Sequence, residues 1–262
     1  MSASRFSGRW PLLEQGLLNP TLDLAPYAAE FQNRGVVQIP GILRPDIADL
    51  LFSTLEHEVP WSLAYRDAGG NRRQPLAAGQ TPSNDGAARL DDARRDEEIF
   101  AIARAGRFQF RYRTYMLVSS YLDPKSRPLP LHRWLELINR GDWLAAMRRI
   151  TGEAGVARLD GQATCYRAGD FLTRHDDAES DDSIRYAAYV LSLTRDWRAD
   201  WGGLLQMLGP DGAVTETLLP RFNCLNLFRT PRLHCVSPVA PYVTVPRYAI
   251  TGWLMPLARP PA

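Results

Sequence analysis

Residues 166–180 read YRAGDFLTRHDDAES, and the reading of this stretch decides the fold. His175 is followed two positions later by Asp177. In an extended segment, side chains at i and i+2 leave the chain on the same side. Both groups could then aim at one ion. The same residues also suit a capped turn in an acidic loop, so a metal reading needs a third ligand from elsewhere. The chain holds only four histidines. His57 lies on the polar side of a helix end and His132 precedes a helix, and both read as surface residues. His234 opens HCVSPV, directly after the apolar run CLNLFRT, and is the candidate that remains.

The texture around this stretch is β. From about residue 157 the chain breaks into short apolar runs between turn residues: ARLDGQATCYRAG, RYAAYVLSL, GGLLQMLG, TETLLP, CLNLFRT, HCVSPV and RYAITGWLM. Many closely spaced strands predict a sandwich or barrel. Upstream, residues 22–58 read as helix, strand, helix. Pro45 lies early in the second helix, and Ile47, Leu50, Leu51, Thr54 and Leu55 share one face. Residues 107–121 alternate apolar and polar and read as a strand. Residues 131–151 read as two short helices split at Gly141. Residues 66–98 are rich in Gly, Pro, Asn and charge; they read as a long surface loop, which in a compact domain often serves as a lid. Helices first and strands afterwards predict a mainly β, α+β fold with helices packed on one face.

Bulk composition narrows the function classes. The 262 residues carry 31 basic and 29 acidic side chains, a net charge of +2. This balance gives no electrostatic case for nucleic acid as a partner. Lys125 is the one lysine, and the arginines are scattered. Cys165, Cys224 and Cys235 are far apart and odd in number, so neither a disulfide framework nor a zinc site is expected. No apolar run approaches a membrane span, and the N-terminal residues show no apolar signal core. A cytoplasmic protein without a membrane partner is the expectation.

Two histidines and one carboxylate form the facial set of non-haem Fe(II) oxygenases, which leaves the opposite face of the ion open. Arg247 opens RYAITGWLM and shares one strand face with Ala249, Thr251 and Trp253. An arginine entering an inward face needs an anionic partner. Its planar fork suits the far carboxylate of a 2-oxo diacid. Taken alone, Arg247 reads better as a strand-end residue reaching for water; the histidines and Asp177 turn the balance.

Residues 158–255 resemble the iron(II) and 2-oxoglutarate dependent dioxygenases, specifically the prolyl hydroxylase branch. The matching pieces are CYRAGDFLTRHDD, LSLTRDW, GGLLQM, HCVSPV and RYAITGW, in that order. The resemblance implies a double-stranded β-helix, a cupin-like jelly-roll of about eight strands, supported by N-terminal helices. Residues 1–262 would form one domain, with 1–156 as helical support carrying the 66–98 lid loop and 157–256 as the catalytic core.

By position, the resemblance makes His175, Asp177 and His234 the iron ligands. It makes Arg247 the partner of the distal carboxylate of 2-oxoglutarate. Tyr166 is similar to a tyrosine that hydrogen-bonds this cosubstrate. Thr251 and Trp253 look like pocket walls, and Leu205 like a cosubstrate contact. Ser192 stands near where oxygen-sensing relatives have a tyrosine, which leaves the second partner of the carboxylate open.

The implied cofactor is Fe(II), with 2-oxoglutarate and dioxygen as cosubstrates and ascorbate as an optional supporting reductant. The implied reaction couples decarboxylation of 2-oxoglutarate to hydroxylation of a C–H bond. Asp177 agrees with hydroxylation, since halogenating relatives lack this carboxylate. The expected target is a prolyl residue of a protein or peptide. A free amino acid or another small metabolite is the alternative, and a catalytically silent jelly-roll binding module is the second. The oligomeric state is open.

Overall fold

Alternating and amphipathic patterns resolve into defined elements in the computed structural model, which describes residue 10 and residues 16–76, 86–177 and 184–257. The first half runs α1 (Ala25–Arg34), β1 (Val36–Pro40), α2 (Pro45–His57), β2 (Ser62–Asp67), β3 (Gly70–Pro75), α3 (Gly86–Arg104) and β4 (Phe110–Met116). It continues through α4 (Leu117–Leu122), α5 (Pro130–Ile138) and α6 (Gly141–Thr151). Then follow β5 (Arg158–Leu159), β6 (Gln162–Tyr166), β7 (Phe171–His175), β8 (Ala187–Ser192), β9 (Leu205–Leu208) and β10 (Val214–Leu218). The last strands are β11 (Cys224–Arg229), β12 (His234–Val236) and β13 (Arg247–Met255).

Pairing along the order β1-β11-β8-β13-β6-β4-β7-β12-β9-β10 is antiparallel and folds the sheet into a nearly closed jelly-roll barrel. Among the described residues thirteen strands take part, more than the expected eight. The surplus comes largely from the first half of the chain. β1 extends the sheet beside β11, and β4 carries β2 and β3 beyond β6. β7, absent from the strand expectations, joins the two layers by pairing with both β4 and β12.

Side-chain alternation divides the layers. Ala187, Tyr189 and Leu191 of β8, with Tyr248, Ile250 and Leu254 of β13, pack into the main core with α2, α5 and α6. The helices contribute Ile47, Leu51, Leu55, Trp134, Trp143 and Ile150, each fully buried. Burying one such side chain is worth about 1.5–3 kcal/mol, so this layer fixes the sheet from behind. The opposite register of the same strands, Ala188, Val190 and Ala249, faces the barrel interior.

Three expectations change. The 66–98 region is largely regular: it completes β2, forms β3, and supplies most of α3. Residues 77–85 lie outside the described residues. α3 is held down by charge, because Arg111 of β4 pairs with Asp96 of α3 at 3.2 Å and with the buried Asp170. Residues 107–121 are strand only to Met116, after which the chain turns into α4.

His132 is not a surface residue; it is fully buried. Its Nδ1 accepts the Leu129 N–H at 3.2 Å, and its Nε2 meets Tyr115 Oη at 3.1 Å and Ser120 Oγ at 3.0 Å. These partners satisfy the ring and remove the cost of burying it.

Candidate metal and cosubstrate site

β7 ends at His175 and β12 begins at His234, and the two residues are direct cross-strand partners. Such partners project from the same sheet face. Their rings lie 4.0 Å apart between centroids. Asp177 joins them by a route that differs from the extended one expected. The strand stops at His175, and Asp177 takes a left-handed conformation with φ 58. Aspartate tolerates that conformation better than most residues. Asp177 Oδ1 comes to 3.3 Å from His175 Nε2, and Oδ2 to 3.7 Å from His234 Nε2. One ligand atom from each of the three residues lies within 4.8 Å of the others, so together they could hold a metal ion.

Backbone carbonyls orient both imidazoles. His175 Nδ1 faces Thr173 O at 3.0 Å, and His234 Nδ1 faces Arg232 O at 2.7 Å. A proton on each Nδ1 donates to its carbonyl and leaves the Nε2 lone pair for a metal. Burial, reinforced by charge on His175, pulls the His234 imidazole down to about 4. The ring is therefore neutral at physiological pH, as a ligand must be. Burial alone would raise the Asp177 carboxyl. The hydrogen bond with His175 and the charges of both imidazoles outweigh it and hold the group below its ordinary value. Trp253 Nε1 donates to Asp177 Oδ2 at 3.1 Å. The Arg185 guanidinium stacks on the Trp253 ring at 3.7 Å and donates to the Asp177 carbonyl at 3.3 Å.

Arg247 opens β13 opposite Tyr166 of β6, with its guanidinium 5.0 Å from the Tyr166 ring centroid. It is 3% exposed, and its Nε is buried with no hydrogen-bond partner. Burial pulls this guanidinium below its ordinary value, with Tyr166 opposing. Among the described residues no carboxylate pairs with it. Arginine does not shed its charge in a protein, so an enclosed, unpaired guanidinium implies an anion that arrives from outside.

The three ligand candidates and Arg247 line one cavity of about 380 Å³. Tyr166, Leu205, Thr251 and Trp253 line it too. Ser192 pairs with Ala249, yet it is not part of the cavity wall; its Oγ is buried without a partner. The sequence reading missed other members of the wall. Tyr112 of β4 stacks on Tyr166 with centroids 5.0 Å apart, and the alternation of 107–121 already marked its face. Asp160 accepts the Trp253 N–H at 2.8 Å, and nothing in its local sequence signals that. In the Gly202–Gly203 pair, a Cβ on Gly202 would stand 2.0 Å from the Pro238 carbonyl, which explains why glycine is needed there.

Residues 161–255 match a family model described as 2OG-Fe(II) oxygenase superfamily. The stretch from β6 to β13 is therefore similar to this superfamily. Solved structures agree at the level of fold. The chain resembles a Pseudomonas putida prolyl-4-hydroxylase at 18% identity and a TM-score of 0.53, covering 92% of this chain and 96% of that one. It resembles a Trichoplax adhaerens prolyl hydroxylase, solved with a hypoxia inducible factor oxygen degradation domain peptide fragment, at 17% identity and a TM-score of 0.51. That alignment covers 88% of this chain and 87% of the other. A third structure, the non-heme alpha ketoglutarate dependent epimerase SnoN from nogalamycin biosynthesis, aligns at 14% identity and a TM-score of 0.53, over 89% of this chain and 80% of that one. No curated protein sequence matches the chain significantly.

The 2OG-Fe(II) oxygenase superfamily uses Fe(II), 2-oxoglutarate and dioxygen, and the residues present fit them. Nitrogen and carboxylate donors suit Fe(II), and the orphaned guanidinium suits a dicarboxylate. No helix among the described residues is long and apolar enough to cross a membrane.

Proposed function

We propose that this oxygenase hydroxylates a substrate C–H bond, with a prolyl residue of a protein or peptide as its target. The observation that carries the reading is one cavity holding the His175–Asp177–His234 set and the buried, unpaired Arg247. His175 and His234 would bind Fe(II) through Nε2 and Asp177 through a carboxylate oxygen. Arg247 would take the distal carboxylate of 2-oxoglutarate, with Tyr166, Leu205, Thr251 and Trp253 as the surrounding wall. Bound Fe(II), with 2-oxoglutarate and dioxygen, supplies the oxidation of the C–H bond.

The chain's own task is orientation and exclusion of water. His175, Asp177 and His234 would hold Fe(II) and leave the rest of the cavity for reactants. Trp253 fixes the Asp177 carboxylate, and Thr173 and Arg232 fix the imidazoles. The complete ligand set weighs against a silent binding module. Its carboxylate weighs against halogenation, which needs that ligand position vacant.

Because the same fold also serves an epimerase, the test must identify product rather than 2-oxoglutarate consumption alone. Purified protein with Fe(II) and 2-oxoglutarate is incubated with extract proteins and, separately, with free amino acids. Mass spectrometry should find a site-specific gain of one oxygen on proline in a protein or peptide, with matching succinate. Oxygenation confined to small molecules would overturn the prolyl reading. No succinate under any condition would overturn the oxygenase assignment of this cavity.

A further inference from the structure

The two faces of the β2–β3 hairpin are charged differently. On one face the charges are matched: Arg72 Nε donates to Asp67 Oδ2 at 2.6 Å, and Arg95 of α3 reaches Gln74 at 3.2 Å and lies over Tyr65. The other face turns to the cavity. Ala64 pairs with Arg73 on one side and with Tyr112 on the other. Tyr112 stacks on Tyr166, and Tyr166 pairs with Arg247. Direct partners share a face, so a single row runs Arg73–Ala64–Tyr112–Tyr166–Arg247 across five strands. All five residues line the cavity. The row is aromatic in the middle and cationic at both ends, four strand spacings or about 19 Å apart along the sheet.

Arg66 adds to the outer end. It pairs with Asn71, which places its side chain on the same face as Arg73 at the diagonal position, within about 7–8 Å. Its guanidinium lies 5.9 Å from the Phe108 ring centroid, and that ring lies 5.3 Å from the His175 ring. Among the described residues neither Arg66 nor Arg73 has a carboxylate partner. Neighbouring like charges on a sheet face repel, and an anion between them would reverse that cost.

The position of this pair relative to the metal ligands is fixed. Gln109, fully buried, accepts the Arg66 N–H at 3.0 Å and donates to the Arg66 carbonyl at 2.8 Å. The Gln109 N–H donates to Thr173 Oγ1 at 2.8 Å, and Thr173 O orients His175. Gln109 and Thr173 thus link the hairpin backbone at Arg66 to a ligand imidazole.

We propose that Arg66 and Arg73 form a docking fork for a carboxylate of the substrate. The inference rests on the oxygenase reading of the cavity and narrows its substrate class. With Arg247 committed to the cosubstrate, the second cationic end is left for the molecule that is oxidised. Its target carbon lies inward over Tyr112, and its carboxylate lies outward at the hairpin. An acidic side chain of a peptide and the α-carboxylate of a free amino acid share this chemistry.

The test uses full-length protein loaded with Mn(II) and 2-oxoglutarate, and calorimetry with four probes. These are an acetylated, amidated pentapeptide with central proline and terminal aspartates, its asparagine counterpart, L-proline and L-prolinamide. Expected is a preference of roughly tenfold to a hundredfold for the charged member of one pair, and the pair that shows it identifies the carboxylate's source. In the exposed double variant R66A/R73A this preference should vanish while 2-oxoglutarate affinity is unchanged. The charge-reversed R66E/R73E should prefer the neutral member. Equal binding of charged and neutral members, no binding of any of the four, or a preference that survives in R66A/R73A would overturn the fork. Failure of the unaltered protein to bind 2-oxoglutarate would instead remove the oxygenase reading beneath it.

Discussion

Gly203 lies against Arg247: a Cβ built on the glycine would stand 3.2 Å from Arg247 Cδ, and equally close to Val239 and Trp197. Gly203 also has φ +62, a conformation that costs any residue with a Cβ. Gly203→Ala should therefore push Arg247 out of its place. The expected outcome is weaker 2-oxoglutarate binding with the metal affinity kept. Calorimetric titration of each ligand would show it, and an unaltered cosubstrate affinity would count against the placement of Arg247.

Arg247→Ala addresses the anchor directly. Losing a charge-assisted contact of about 1.5–3 kcal/mol should weaken 2-oxoglutarate binding roughly tenfold to a hundredfold. Because the buried guanidinium has no counter-ion among the described residues, its removal should not lower the thermal midpoint of the ligand-free protein by the amount expected for breaking a buried ion pair. A large drop in the midpoint, with cosubstrate affinity intact, would make Arg247 a structural residue.

Trp253→Phe removes one hydrogen bond and keeps the ring that stacks beneath Arg185. Partners of metal-ligating carboxylates typically influence metal affinity by about 10–100-fold. Mn(II) affinity should fall within that range, with the fold retained by circular dichroism. Equal Mn(II) affinity in the two proteins would mean that the Trp253 contact does not orient the Asp177 carboxylate.

The ligand-free protein should lose stability as pH falls from 6.5 to about 4. His234 is held at about 4 in the folded state against an ordinary 6.5. In this window the unfolded chain binds a proton that the folded chain does not, so acidification favours unfolding. The whole interval corresponds to roughly 3 kcal/mol. Asp177, held below its ordinary value, contributes stability that is lost only at lower pH. Thermal midpoints measured across the window should decline, and His234→Gln should flatten the decline. Identical profiles for both proteins would assign the acid sensitivity elsewhere.

The candidate metal ligands were legible early because their chemistry is rare in this chain. With four histidines available, a histidine two positions before an aspartate and another at the start of a short strand stand out. The inward face of β13 was legible for a different reason. Strict alternation leaves Arg247, Thr251 and Trp253 on one side and Tyr248, Ile250 and Leu254 on the other, and the two sets do separate between cavity and core. The hairpin at 62–75 was hidden by its composition. Ala68 and Gly69 make its turn, and an edge strand of arginine, asparagine and glutamine has no apolar period to detect. His132 was misjudged because its burial depends on two hydroxyls, Tyr115 and Ser120, supplied by other segments.

By itself, the sequence determined the alternating and amphipathic faces, the glycine turns and the kinds of donor available, since each of these depends on a few neighbouring residues. Only the tertiary structure decided that β7 and β12 pair His175 against His234, that a left-handed Asp177 turns its carboxylate back to both, and that Arg73 and Arg247 end the same row. Register between strands distant in the chain is set by burial of the whole sheet against α2, α5 and α6. A slip of one residue would turn every side chain of a strand to the opposite face, so the site exists only once the core behind it has packed.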